Sequence, residues 1–352
     1  MMTVRLKIGI ALLALFAILS AVAGFVLGRY WSDNRKPNFS EEYVLYVYPD
    51  TQIEDVVDSL QLRAGVLRPK SLNRAFKKME TSMNMKPGRY VVKPDATSIY
   101  VARMLNFGWQ TPQNMTLSGT IRSKERLAQK IGIQMMVDSA AVASALNDKD
   151  FLSRYGFTTE NVFALVLPDT YQMYWTASVE EIFDRFKKEY DSFWNEDRLA
   201  KAKAQKLTPM QVSVMASIVS GETLKDFEYP RIAGVYLNRY RKGMKLQADP
   251  TIAFCYGYTL DRILKKHLKV DSPYNTYMHV GLPPAPINVP PKACLEAVLN
   301  PESHKYIYFC ASPAFDGTHR FAVSYGDHLK NAREFQRELT KRRRAKAAAG
   351  KL

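Results

Sequence analysis

Apolar residues form one unbroken block near the N-terminus. Residues 8–28 read IGIALLALFAILSAVAGFVLG and contain no charged side chain. A helix needs about 20 such residues to cross the hydrocarbon of a bilayer, whereas the apolar part of a signal peptide usually has about 7–15. The block therefore predicts an uncleaved transmembrane helix. Because residues 1–7 are too few to carry a function, we expect them to form a cytoplasmic head and the rest of the chain to be extracytoplasmic.

Beyond the block, the pattern becomes polar and then periodic. Residues 29–42 include Pro37 and predict a tether. Alternating apolar residues then predict strands, and apolar residues three or four apart predict helices. The predicted order is strand 43–49, helix 51–61, helix 71–80, strand 87–94 and helix 98–108. This order predicts a small α+β domain, residues 43–110.

The remaining pattern is mainly helical, with a small β portion. A strand is expected within 114–119, and helices predominate over 122–241. Residues 306–312 and 319–324 are expected to form a β-hairpin, followed by a helix from 326 to 342. The fold class is thus α+β, with a catalytic domain at 111–342 and a basic tail at 343–352.

Net charge and the spacing of cysteine and histidine residues narrow the range of possible partners and sites. The net charge of +16 suits anionic lipid headgroups or acidic wall polymers, although a basic surface alone would also explain it. A nucleic-acid partner is not expected, because no binding module is recognisable. Three scattered cysteines and five histidines without ligand spacing predict neither a disulfide nor a metal site, and the cysteines are expected to be buried. We expect no metal and no cofactor.

One helix carries the main candidate for chemistry. Thr208 is expected to cap it, Pro209 to begin it and Gln211 to complete a capping box. Glu222 then falls on the same face as the apolar residues Met215 and Ile218. Burial and the helix C-terminus both disfavour a negative charge, so the pKa of Glu222 should be raised. A carboxyl group protonated near neutral pH is a general acid, although a helix-end glutamate exposed to solvent is the simpler interpretation.

Two later segments change that balance. Residues 229–241 predict a helix, and residues 244–251 an extended string containing Gln247 and Asp249. Residues 272–290 form a loop rich in Pro, Tyr and Asn with almost no charge. Such a loop is typical of the wall of a carbohydrate-binding cleft.

The motifs in these segments resemble those of the endolytic murein lytic transglycosylases of the MltG-like (YceG-type) group. The matching strings run collinearly through nearly the whole part after the apolar block. They are KPGRY at 86–90, PDTY at 168–171, ASIVSGET at 216–223, NR at 238–239, LQADPT at 246–251, YNTY at 274–277 and GLPP at 281–284. Departures are Ser220, where the family has a glutamate, and Ala285 and Pro291, where it commonly has glycine.

The resemblance implies both a reaction and a set of residues. It implies a lyase that cleaves the β-1,4 bond between N-acetylmuramic acid and N-acetylglucosamine and leaves 1,6-anhydro ends, with Glu222 acting as acid and then as base. It also implies a LysM-like domain at 43–110, a place in the inner membrane, a role in terminating nascent strands and contact with wall synthases. The expected substrate contacts are Asn238, Gln247, Asp249, Tyr274, Asn275, Tyr277 and Asp169.

Two other functions stay open at this point. A hydrolase would use Glu222 with Asp249 as a second carboxylate, since hydrolysis of glycosides normally needs two. For Asp249 taken alone, an Asp-Pro turn is the slightly favoured interpretation. A noncatalytic wall-binding anchor is the other alternative, and the glutamate in its apolar setting argues against it.

Overall fold

The N-terminal helix is longer than the apolar block. The structure, a computed structural model, describes residues 4–349. Helix α1 spans Val4–Asn34 and includes an apolar window of mean hydropathy 2.8 that is wholly exposed. The helix therefore has the length and composition of a membrane span. Of the predicted head, residues 1–3 lie outside the described part of the chain.

The first six residues of the predicted tether, 29–34, are helical. Residues 29–34 continue α1, and the carboxylate of Asp33 accepts hydrogen bonds from Ser71 Oγ at 2.6 Å and Arg74 Nε at 3.1 Å. Asn38 and Phe39 are buried, and Asn38 Nδ2 donates to Ser98 Oγ at 2.9 Å. The side chains of Asp33 and Asn38, in a stretch that looked like a linker, thus form hydrogen bonds within the first folded unit.

Contacts within the chain divide it into two compact units. The first takes in the chain up to Met115 with Gln134–Met136 and Gln172–Ala177. The second takes in Thr116–Ile133, Val137–Tyr171 and the chain from Ser178 onward. Each has its own apolar core.

The first unit has the predicted order of strands and helices. Strand β1 pairs antiparallel with β2, so that Leu45 faces Tyr90. Leu45, Leu60, Leu72 and Tyr90 are wholly or almost wholly buried between the strands and the helices. The short helix α4 was not predicted. The elements are β1 Tyr43–Val47, α2 Ile53–Arg63, α3 Pro69–Lys78, α4 Thr81–Asn84, β2 Gly88–Val92 and α5 Ser98–Phe107.

A second two-stranded sheet and five helices follow. Strand β3 pairs with β4, which sequence periodicity missed because it has only four residues. One face of α9 is apolar and buried, with Ile182, Phe183 and Phe186 fully enclosed. The elements are β3 Gln113–Thr116, α6 Lys124–Gly132, α7 Ser139–Asn147, α8 Lys149–Ser153, β4 Thr170–Met173, α9 Val179–Phe193 and α10 Glu196–Ala204, with a 3-10 turn at Val162–Ala164.

The last part of the chain carries the site. Helices α11, α12 and α14 pack together around one core, and β5 pairs antiparallel with β6 as predicted. The elements are α11 Pro209–Glu222, α12 Tyr229–Arg241, α13 Asp249–Cys255, α14 Lys292–Leu299, β5 Tyr308–Ala311, β6 His319–Ala322 and α15 Tyr325–Ala349, with 3-10 turns at Asp226–Glu228 and His267–Lys269.

Two predicted boundaries need correction. Asp249 does not belong to an extended string but begins α13, with Pro250 in its first turn, where a missing N–H costs nothing. Helix α15 continues seven residues beyond the predicted end at Arg342 because that stretch consists of Ala, Arg and Lys, which all favour helix. The last part of the predicted tail, residues 350–352, lies outside the described residues.

Candidate active site

Helix α11 is built to deliver Glu222 to a cleft. Thr208 Oγ1 accepts from the Gln211 N–H at 3.2 Å, and Gln211 Oε1 accepts from the Thr208 N–H at 2.9 Å. This confirms the predicted capping box and fixes where the helix begins. Met215 and Ile218 are wholly buried in the core. The apolar face therefore anchors the helix, and Glu222 forms its last residue.

The pKa of the Glu222 carboxyl group lies close to neutral pH, so that its neutral and charged forms are both populated there. Burial raises its pKa to about 7, the hydrogen bond from Tyr236 opposes this, and the nearby negative charge of Asp249 adds to it. Tyr236 lies on α12, is almost wholly buried, and donates its hydroxyl hydrogen to Glu222 Oε1. A carboxyl group with such a pKa in a cleft has the properties of a general acid.

Gly221 allows α13 to approach this helix end. A Cβ atom at Gly221 would lie 2.6 Å from Pro250 Cβ and 2.7 Å from Pro250 Cγ, closer than side chains come. The missing side chain thus lets Pro250 pack against the last turn of α11. The same contact sets the position of Asp249, the neighbour of Pro250 in the chain.

Three cavities meet at Glu222. The first has a volume of 230 Å³ and also contacts Arg122, Asp249, Tyr258 and Asn288. The second, of 250 Å³, is lined by residues of α12, α13 and β5, and it includes Asp249, Gln247 and Tyr277. The third, of 700 Å³, extends along 220–225 towards the β5–β6 hairpin. Glu222 is therefore reachable along a cleft from more than one side.

Three of the predicted contact residues line these cavities. Tyr277 donates its hydroxyl hydrogen to Asp249 Oδ1 at 2.6 Å. Gln247 is exposed and has a φ of 50°, an uncommon backbone conformation for a residue with a side chain. Its N–H bonds to the Thr276 carbonyl at 3.1 Å, which fixes this turn. Gln247, Asp249 and Tyr277 thus form one polar side of the cleft.

The two asparagines predicted to contact substrate, Asn238 and Asn275, donate their side-chain amide hydrogens to backbone carbonyls. Asn275 is wholly buried and uses its amide hydrogens on the carbonyls of Leu268 and Val270, at 3.1 and 2.7 Å. Asn238 Nδ2 donates to the carbonyls of His304 and Tyr306 at 2.9 and 3.0 Å. Since these donors are already used on the backbone, both asparagines hold loops in place.

Tyr274 and Asp169 do not line the three cavities around Glu222. The ring of Tyr274 packs against Phe254, with their centroids 4.6 Å apart. Asp169 forms an ion pair with Lys292, whose hydrogen bond lowers the pKa of the Asp169 carboxyl group. Its carbonyl accepts from the Leu117 N–H at 2.9 Å. Both residues therefore act in packing and pairing.

Several site residues escaped sequence reasoning. Tyr236 lies in the predicted helix 229–241, but nothing in the sequence indicated that its hydroxyl would bond to Glu222. Arg239 is buried, donates to the carbonyls of Ile307 and Leu246 at 2.6 and 2.7 Å, and lines the 250 Å³ cavity. Only the NR motif pointed to it. Glu228 and His319 form a further pair beside Glu222 for which the sequence gives no signal.

The prediction of three buried thiols is only partly correct. All three cysteines are free; Cys294 is buried, but Cys255 and Cys310 are partly exposed. Cys310 lies on β5 and lines the 250 Å³ cavity with Glu222. Within residues 4–349, no group of three or more His, Cys, Asp or Glu side chains is arranged to hold a metal ion.

The chain resembles known proteins over most of its length. The model of the YceG-like family matches residues 45–334. The endolytic murein transglycosylase of Bacillus subtilis is 35% identical over 154 residues, 44% of this chain and 42% of that protein. The endolytic murein transglycosylase of Streptococcus pneumoniae serotype 2 is 24% identical over 359 residues, 92% of this chain and 64% of that protein. The chain thus spans less than two thirds of these relatives.

A solved structure shares the fold. The crystal structure of a YceG-like protein from Listeria monocytogenes is 25% identical and aligns with a TM-score of 0.55, over 82% of this chain and 98% of that one. Fold and site together define a protein of mixed helices and small sheets with a carboxyl group of raised pKa, that of Glu222, in a cleft. The chain belongs to the YceG-like family, whose model covers well over half of it.

Proposed function

We propose that this chain is an endolytic peptidoglycan lytic transglycosylase, a carbon–oxygen lyase that cleaves the β-1,4 bond between N-acetylmuramic acid and N-acetylglucosamine. The observation that carries the proposal is Glu222, a carboxyl group with a pKa of about 7 at the junction of three cavities. The names of the relatives in B. subtilis and S. pneumoniae support the same reaction. We further propose that it terminates the elongation of nascent glycan strands.

The reaction needs one residue that gives and then takes a proton. The neutral Glu222 donates its proton to the glycosidic oxygen as the bond from that oxygen to C1 of N-acetylmuramic acid breaks. The resulting carboxylate then accepts the proton of the C6 hydroxyl of the same sugar, while O6 bonds to C1. No water is consumed, and Glu222 ends as it began. A group that acts as acid and base works best with a pKa near the working pH, as burial supplies here.

We assign the neighbouring residues to substrate binding. Gln247, Asp249 and Tyr277 offer hydrogen-bonding groups along the 250 Å³ cavity. Tyr236 keeps Glu222 oriented through its hydrogen bond. The chemistry uses the chain's own side chains.

A hydrolase is the second candidate, and one observation favours it. Asp249 lines two of the three cavities together with Glu222, so a second carboxylate is present beside the acid. Against it, Asp249 Oδ1 already accepts the Tyr277 hydroxyl. The products separate the two reactions, since hydrolysis gives reducing ends and the lyase gives anhydro ends.

We also propose a membrane location for the chain. Helix α1 would span the inner membrane with its N-terminus in the cytoplasm, and the rest would be extracytoplasmic, near wall synthases as partners. The small α+β part, residues 43–110, would serve as a LysM-like domain and residues 111–342 as the catalytic domain. The wholly exposed apolar window of α1 supports the anchor. Retention in membranes after a carbonate wash tests it, and a mature N-terminus near residues 25–35 would contradict it.

Mass spectrometry of the products tests the reaction itself. The full chain in detergent is incubated with uncrosslinked glycan strands, and the released muropeptides are weighed. We expect internal cleavage with 1,6-anhydro ends, each lighter than a reducing end by one water. Products with reducing ends would show that the chain is a hydrolase. Intact strands would contradict both proposed reactions.

A further inference from the structure

A buried pair of ionisable side chains lies beside Glu222, and the proposed reaction does not use it. Glu228 is 2% exposed, and its Oε2 lies 2.9 Å from His319 Nδ1. Its Oε1 accepts the backbone N–H of His319, also at 2.9 Å. The carboxylate therefore holds the same histidine by both its ring and its backbone.

These contacts fix the orientation of the His319 ring and turn its Nδ1 towards the carboxylate of Glu228. An ionised carboxylate only accepts hydrogen bonds, so Nδ1 of His319 is the nitrogen that donates. In the neutral ring this leaves a lone pair on Nε2. Phe309 packs edge-to-face on the same ring, with centroids 5.4 Å apart. The hydrogen bonds that His319 makes run through its backbone N–H and its Nδ1.

The pair belongs to the same cleft as the acid. His319 and Glu222 both line the 250 Å³ cavity and the 700 Å³ cavity. Glu228 is also linked to Glu222 through Thr223. Thr223 follows Glu222 directly in the chain, and its hydroxyl lies 3.4 Å from Glu228 Oε2. The carboxylate that holds the histidine is thus tied to the end of the helix that presents the acid.

The side chains that line these cavities offer a glycan many hydrogen-bond donors and few available acceptors. Arg122, Lys225 and Arg239 line these two cavities and can only donate. Of the acceptors in the cleft, Asp249 takes the hydroxyl of Tyr277 with one oxygen, Gln247 Oε1 lies 3.5 Å from an Arg239 nitrogen, and Glu222 is occupied with the reaction. A glycan strand brings N–H groups on its acetamido substituents and O–H groups on its rings. Those groups need acceptors.

We propose that His319 is a substrate-contacting residue, and that Glu228 is the residue that positions it. The Nε2 lone pair of His319 accepts a hydrogen bond from an acetamido N–H or a hydroxyl of the glycan in the cavities beside Glu222. This assignment rests on the proposed action on peptidoglycan glycan. It adds a sugar-binding residue on the β5–β6 hairpin to those on α11–α13 and the 272–290 loop.

The kinetic test uses a substitution that keeps a hydrogen-bond donor in the place of Nδ1 and removes Nε2. In His319→Asn the amide N–H stands where Nδ1 was and keeps a donor for Glu228, but nothing replaces Nε2. With uncrosslinked glycan strands and the full chain in detergent, we expect KM to rise about tenfold while kcat changes by less than about threefold, as for loss of one ground-state hydrogen bond. Glu228→Gln should raise KM in the same direction.

A matched histidine provides the control. His328 packs on Tyr308 of the same hairpin, with centroids 5.4 Å apart, but lines none of the three cavities. His328→Asn should leave KM unchanged. An unchanged KM in His319→Asn, or an equal rise in His328→Asn, would overturn the proposal.

A direct measurement decides the matter even if His319→Asn fails to fold. The Glu222→Gln chain, labelled with ¹⁵N-histidine, is titrated with the same strands, which it does not cleave. We expect the Nε2 resonance of His319 to shift on binding, and a resonance that stays in place at saturation would overturn the proposal. The test is separable from the reaction: reducing ends from the unmodified chain would remove the lyase assignment, whereas a His319 shift would still establish the contact.

Discussion

Tyr236 on α12 donates its hydroxyl hydrogen to Glu222 at the end of α11. Burial, joined by the adjacent Glu222 charge, raises the pKa of Tyr236 well above its ordinary value, so the phenol remains a donor at every working pH. The bond favours the charged form of Glu222, and burial of the carboxyl favours the neutral form. Burial is the larger effect, and the resulting pKa of about 7 permits one residue to act as both acid and base.

Replacing the acid by its amide should abolish turnover and keep the fold. In Glu222→Gln the amide oxygen still accepts the Tyr236 hydroxyl, but the side chain neither delivers nor recovers a proton. We expect kcat to fall by about 10²- to 10⁴-fold or more. Release of anhydro-muropeptides is measured by mass spectrometry, and folding by thermal melting. Near-normal release would show that another residue is the acid.

A methyl group at Gly221 should displace α13 and so lower both stability and activity. In Gly221→Ala the new Cβ would lie 2.6 Å from Pro250 Cβ, so α13 must move and carry Asp249 with it. Overpacking of this kind costs about 1–3 kcal/mol, more than the 0.5–1 kcal/mol that Ala gains over Gly in a helix. We expect a lower melting temperature and reduced kcat.

Gly326 provides the control for that substitution. It lies in the first turn of α15, and the nearest atom to an added Cβ is Ser324 Oγ at 3.8 Å, an ordinary contact. Gly326→Ala should leave stability unchanged or slightly increased. Equal loss in both variants would mean that the contact with Pro250 is not the cause.

The position of the acid was predictable, but its surroundings were not. The capping box of Thr208 and Gln211 and the buried stripe through Met215 are local patterns, so they fixed where α11 begins and which face carries Glu222. Which side chains on other helices and strands contact Glu222 depends on tertiary packing, and the hydrophobic periodicity of the sequence does not encode it. Glu228 and His319, for example, meet across 91 positions of the chain.

Local polarity also misled at two places. Residues 29–34 look like a linker but continue α1, because Asp33 finds Ser71 and Arg74 as partners. Asn275 looks like a sugar contact but is wholly buried on backbone carbonyls. In both cases a polar side chain is satisfied within its own unit, by residues 38 and 41 positions away for Asp33 and 7 and 5 positions away for Asn275, and no local pattern reveals these partners.

Alkylation of Cys310 should block the site. Burial raises the pKa of this thiol, so its reaction with a maleimide should be slow at neutral pH and faster as the pH rises. The adduct would occupy the 250 Å³ cavity that Cys310 shares with Glu222. We expect activity to fall in proportion to labelling at Cys310, measured by peptide mass spectrometry. Cys294 should stay unlabelled because it is buried and its pKa is raised to about 12.

Two single substitutions identify the thiol responsible. Cys310→Ser should be active and resistant to the maleimide, whereas Cys255→Ser should remain sensitive. Inhibition that persists in Cys310→Ser would assign the effect to another site.

Finally, two substitutions should move the alkaline limb of the pH profile in opposite directions. The reaction needs neutral Glu222, so activity should be full below its pKa of about 7 and fall as the pH rises through it. Tyr236→Phe removes a hydrogen bond that favours the charged form, which raises the pKa of Glu222 and shifts the limb to higher pH. Asp249→Asn removes a negative charge that disfavours ionisation, which lowers this pKa and shifts the limb to lower pH.

The measurement is kcat/KM against pH for each variant, since this ratio reports the groups of the free enzyme. Asp191→Asn, an exposed change on α9 paired with Lys187, is the control and should leave the limb in place. Asp249→Asn should also retain more activity than Glu222→Gln, because Asp249 is not asked to become a nucleophile. Shifts in the same direction would show that the limb does not report Glu222. Complete inactivity of Asp249→Asn together with reducing ends from the unmodified chain would establish the two-carboxylate hydrolase instead.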